Sequence, residues 1–109
     1  MSSTVIRDLN DAFRQTFRGG KVVTTASVAA LPEKLKAEAL LQMSRFSDFT
    51  PDNDPHGEHD FGSFELEGRK LFWKIDYFEK GTDYMAGAET PENSATTDRL
   101  LTMMLAEEY

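Results

Sequence analysis

The feature that most constrains this chain is a pair of alternating segments, Asp60 to Leu66 and Lys70 to Phe78, joined around Glu67-Gly68. Alternation of apolar and polar residues with a period of two is the mark of a strand with one face buried. A two-residue loop at Glu67-Gly68 fixes the pairing, because Leu66 then faces Arg69, Phe64 faces Leu71 and Gly62 faces Trp73. In that register Phe64, Leu66, Leu71, Trp73, Ile75 and Tyr77 gather on the core side. Phe61, Phe72, Lys74, Asp76 and Phe78 take the other side, and His59 falls opposite Asp76. A slip of one residue would turn every one of these side chains to the wrong face.

Helical spacing organises the first half of the chain. Val5, Ile6, Leu9, Ala12, Phe13 and Phe17 recur three and four residues apart behind Ser3, which is suited to cap the helix, and Gly19-Gly20 stops it. KVVTTA (21–26) is short and β-branched, as a strand should be. Pro32 opens a second helix with Leu35, Ala39, Leu40, Met43 and Phe46 on one side. Near the C-terminus, TTDRLLTMMLAEEY carries Leu100, Leu101, Met104 and Leu105 as an apolar stripe and reads as a final helix capped by Ser94 or Thr96. Glu107 and Glu108 then sit at the unfavourable end of its dipole. Residues 80–95 show no periodicity and read as a functional flap or a mobile loop. The expected architecture is α+β: a small antiparallel sheet of about three strands, including the 60–66/70–78 hairpin, against about three helices, in a single domain spanning 1–109.

Of the 109 residues none is cysteine, which excludes disulfides, thiol nucleophiles and cysteine-ligated zinc. No stretch approaches the roughly 18 apolar residues of a membrane span, and the N-terminus does not resemble a signal peptide, so no membrane association and a cytoplasmic location are expected. The formal charge of −7 is uneven. Residues 1–50 hold seven Lys/Arg against five Asp/Glu, whereas residues 51–109 hold five against fourteen. That polarity disfavours direct nucleic-acid binding and suits either solubility or a basic, nucleic-acid-handling protein partner.

Chemistry, if present, concentrates in TPDNDPHGEHDFG (50–62), which holds both histidines of the chain. Asp54, Glu58 and His59, with Asp76 brought across the hairpin, form a candidate set of ligands for one divalent cation such as manganese, iron or zinc. HGEH is not an established zinc motif. Asp52, Asp54, His56 and Gly57 match positions one, three, five and six of an EF-hand, but Ser63 stands where a bidentate glutamate is needed, and Pro55 stiffens position four. His59, Asp76 and Lys74 also form a candidate acid–base set, in which Asp76 orients the imidazole. The alternative is turn chemistry: Asp52 and Asp54 accepting from nearby amides, Gly57 supplying a positive φ, and His59 paired with Asp76 for structure. No nucleophile elbow, P-loop or dinucleotide fingerprint is present.

NDPHGEHDFGSFE, LFWKIDYFEK, the opening IRDLNDAFRQTF, TTASVAALP and the closing RLLTMMLAEEY together resemble a small bacterial domain family of unknown function. The signature falls on Asn53, Asp54, Pro55, Gly57, Glu58, His59, Asp60, Phe61, Gly62, Trp73, Lys74, Ile75, Asp76 and Tyr77. The resemblance implies a setting on plasmids and integrative elements, beside anti-restriction and conjugation genes, and no defined activity. Two functional expectations follow. One is a mobile-element accessory protein, an acidic interaction or inhibitor module of anti-restriction or anti-CRISPR type. The other is a metal-dependent hydrolase using the 52–60 loop with Asp76.

Overall fold

The computed structural model describes residues 2–109 and has an α+β architecture. Helix α1 (Ser2–Thr16) leads into strand β1 (Lys21–Thr24), the short helix α2 (Ala26–Ala29) and helix α3 (Glu33–Ser44). The irregular 45–60 segment precedes strands β2 (Phe61–Leu66), β3 (Arg69–Glu79) and β4 (Thr97–Leu105), followed by a 3-10 turn over Ala106–Glu108. The four strands form one sheet in the order β1-β4-β3-β2. Both helical expectations in the first half hold, although α1 already begins at Ser2, so Ser3 lies inside the helix.

The hairpin pairs as its alternation dictates, with Gly62 opposite Trp73, Phe64 opposite Leu71 and Leu66 opposite Arg69. Glu67 (φ 48°) and Gly68 (φ 80°) both lie in the left-handed region, the backbone that a two-residue turn needs to match the twist of its strands.

Residues 97–105 are a strand, not the expected helix, and the sheet has four strands rather than three, with β1 parallel to β4. Thr97, Arg99, Leu101 and Met103 point into the core, while Asp98, Leu100, Thr102 and Met104 take the opposite face. RLLTMML is a short apolar run that suits a buried helix or a central strand equally, and its leucines and methionines favour helix only weakly. Two flanking partners decide: β4 pairs with β3 over nine residues and with β1 over four. Without a C-terminal helix the dipole conflict at Glu107 and Glu108 disappears. Glu108 Oε1 instead accepts hydrogen bonds from the Leu105 amide and the Thr25 hydroxyl, both at 2.8 Å, which holds its carboxyl below the usual range.

One face of the sheet carries the core. Trp73, Leu71, Ile75, Leu101 and Met103 pack against Phe13 of α1, Val28 of α2, and Ala39 and Met43 of α3. The 80–95 segment is tied back rather than detached. Glu79 N–H donates to Ala86 O at 2.8 Å, Ala88 N–H to Tyr77 O at 3.0 Å, and the Thr97 hydroxyl to Thr90 O at 3.0 Å.

Candidate functional site

The acid and histidine loop is organised by Asp54. Its amide donates to Thr50 O at 2.8 Å, and its carboxylate accepts the amides of Glu58 (3.1 Å) and His59 (3.2 Å). Gly57 supplies the positive φ (65°) that the turn requires, and His59 itself adopts φ 54°. A buried carboxylate that accepts several amides is an anchor for backbone, with few lone pairs left to offer a ligand.

His59 leaves the extended path just before β2 begins, and its left-handed backbone sends the ring to the core side. There it stacks on Phe49, with centroids 3.7 Å apart and planes 3° from parallel. Nδ1 lies 2.9 and 3.1 Å from the two oxygens of Asp11, and Nε2 lies 3.7 Å from Asp54 Oδ2. Asp11 also pairs with Arg14 Nη2 at 2.9 Å. Arg14 is buried and points Nη1 at the carbonyls of Met43 and Ser44 at the end of α3 and of Phe46 just beyond it, where the helix no longer supplies a full set of amide donors. Its guanidinium also sits 5.2 Å from the Trp73 ring centre.

A second arm runs deeper. The Tyr77 hydroxyl donates to Glu58 Oε1 at 3.1 Å and accepts from Asn10 Nδ2 at 2.8 Å. Asn10 Nδ2 also reaches Glu58 O at 3.0 Å, and Asn10 Oδ1 accepts from Arg99 Nε at 2.8 Å. Burial pushes the Tyr77 phenol far above its ordinary range and lowers Arg99. Burial, reinforced by the neighbouring Glu58, raises the Asp60 carboxyl.

The residues singled out from sequence are therefore divided between two faces. Asp54, Glu58 and His59 belong to one network with α1. Lys74 and Asp76 lie on the other face of β3, half-exposed and paired with each other at 3.1 Å. The expected His59–Asp76 pair is replaced by His59–Asp11, because the positive φ at His59 breaks the alternation on which the expectation rested. Among the described residues no three His, Asp or Glu side chains converge to hold a metal ion. His56 and Asp52 are exposed, and Ser63 stands opposite Phe72 on the outer face.

Asn10, Asp11, Arg14, Phe49 and Arg99 are the members of the network that the sequence reading missed. Asn10 and Arg14 stand four and eight residues after Ile6 and are as buried as Phe13, so polar residues at core spacing in α1 were the available signal. What the arrangement does is tie α1, the end of α3 and the 54–60 turn to the sheet.

The chain belongs to the family described as "Protein of unknown function (DUF3768)", which it matches over residues 24–108. That span contains Asp54, Glu58, His59, Gly62, Trp73, Tyr77 and Arg99, while α1 with Asn10, Asp11 and Arg14 precedes it. The expected membership of a domain family of unknown function is borne out. No curated protein and no solved structure matches the chain.

Proposed function

We propose that this protein is a binding module that docks the open face of its sheet onto a basic surface of a nucleic-acid-handling partner protein. The observation that carries this reading is the face turned away from the helices. Its β2 and β3 positions are Phe61, Ser63, Glu65, Lys70, Phe72, Lys74, Asp76 and Phe78, and β4 adds Asp98, Leu100 and Thr102, whereas Met104 on the same side is buried. Phe61, Phe72 and Tyr109 form a mutual edge-to-face cluster with centroids 5.3–5.5 Å apart, and Tyr109 is 73% exposed. An antiparallel sheet commonly keeps one face polar toward water, so aromatic side chains on that face suit a contact surface.

The chemistry of the face favours cations. Lys70 Nζ already lies 5.6 Å from the Phe72 ring centre, and a cation over an aromatic ring gains roughly 0.5–2 kcal/mol. The chain's formal charge of −7 adds long-range attraction for a basic partner. In the mobile-element setting that the sequence resemblance implies, a restriction or CRISPR component of the host is a partner of this kind. A metal-dependent hydrolase built on Asp54, Glu58, His59 and Asp76 has less support, since Asp54 is engaged with amides and Asp76 stands on the other face.

The test is affinity capture from host lysate at low salt with wild-type protein and with Phe72→Ala and Tyr109→Ala, followed by titration of each purified candidate partner. A basic partner is expected whose binding weakens in both variants and falls steeply with salt. Partners retained equally by wild type and variants, or binding indifferent to salt, would overturn the proposal.

A further inference from the structure

The two buried arginines are treated differently by the fold. Arg14, 1% exposed, has the Asp11 carboxylate at 2.9 Å. Arg99 is 2% exposed, and its contacts are neutral: Asn10 Oδ1, the Pro91 carbonyl and the face of Tyr77 at 5.3 Å. The carboxylate of Glu58 acts on it only at a distance, reached through Asn10 and Tyr77, whereas a buried charge ordinarily has a counter-charge in direct contact. A guanidinium carries five N–H bonds, and these contacts use one on Nε and one on Nη2.

Arg99 also lines a cavity of about 360 Å³ between α1 and the turn at Ser94. Leu9, Ala12 and Phe13 give it an apolar wall, and Thr16, Arg18, Ser94 and Arg99 give it polar and cationic groups. This size lies within the ordinary range of small-molecule sites, and an apolar wall joined to a few convergent polar groups is their usual composition.

We propose that this cavity binds a small organic monocarboxylate, with its carboxylate toward Arg99 and Arg18 and its apolar body against Leu9, Ala12 and Phe13. A planar carboxylate matches the fork of a guanidinium, and the apolar wall selects against a bare inorganic anion. Such a ligand would add a counter-charge in direct contact with Arg99, beyond the distant Glu58, and would brace α1 against β4. A free metabolite and the C-terminus of a peptide present the same chemistry. This inference is independent of the docking face, which lies on the other side of the sheet.

The test is titration of the full chain with 3-phenylpropionate, 3-phenylpropanol, inorganic phosphate, and acetyl-Gly-Phe as the free acid and the amide, followed by amide chemical shifts and calorimetry. Saturable binding of a carboxylate, with shifts at residues 9–19 and 94–99, is expected, and the alcohol, phosphate and peptide amide should bind at least about tenfold more weakly. The stronger of 3-phenylpropionate and acetyl-Gly-Phe identifies the source. Arg18→Ala should weaken binding several-fold. Ala12→Leu, which places a larger side chain into the cavity from an exposed helical position, should abolish binding while leaving the melting temperature unchanged. No saturable binding of either carboxylate, or equal binding by the Ala12→Leu variant, would overturn the proposal.

Discussion

Replacing Gly62 by alanine tests how tightly the core is built around the signature residues. A Cβ at position 62 would lie 2.5 Å from Trp73 Nε1 and 2.7 Å from Cε2 and Cζ2. Trp73 cannot retreat easily. It is fully buried, meets Phe46 and Phe49 edge-on at 5.6 and 6.2 Å, and is covered by Arg14 at 5.2 Å. Forcing a methyl group into a packed core costs about 1–3 kcal/mol, because side chains or backbone must shift. Alanine recovers part of this, since glycine within a strand is itself about 0.5–1 kcal/mol unfavourable. A net loss of about 1–2 kcal/mol is expected, equivalent to a melting temperature lowered by roughly 4–16 °C for a domain of this size. Thermal unfolding followed by circular dichroism reads it directly. Gly68→Ala is the control: its φ of 80° disfavours a side chain, but nothing lies within 4 Å, so its cost is limited to about 1 kcal/mol of backbone strain. A Gly62→Ala protein that melts with wild type would refute the steric argument.

His59→Ala removes the contacts to Asp11 and the stack on Phe49 and should cost about 1–3 kcal/mol in urea unfolding, whereas Asp76→Ala, on the outer face, should stay within about 0.5 kcal/mol. Equal effects would mean that the two residues act together after all. Asp60→Asn should raise the melting temperature at neutral pH, because the folded protein holds the Asp60 proton more tightly than the ordinary carboxyl with its pKa of 3.8 does. The ionised carboxylate therefore destabilises the fold above its raised pKa, and the penalty disappears as pH falls below 3.8. A gain that does not shrink on acidification would contradict this assignment.

Much of the candidate network lay outside what periodicity can show. Asp54 and Gly57 were legible as turn residues, because a carboxylate near free amides and a glycine with positive φ are local chemistry. Asp11 and Arg14 were not, since they reach His59 and the end of α3 from a distant helix. Val5 and Phe17, placed on the apolar face of α1 by spacing, are instead substantially exposed, and Asn10 and Arg14 take the buried stripe with Ile6 and Phe13.

The helices at both ends of the first half, the hairpin and its register could be read from local pattern, because each depends on contacts between residues close along the chain. Long-range packing sets the rest: 97–105 is a strand, β1 runs parallel beside it, and His59 faces Asp11. Those outcomes rest on partners up to about 80 residues away, whose pairing outweighs the weak local preferences of an apolar run and turns a single backbone angle at His59 into a change of face.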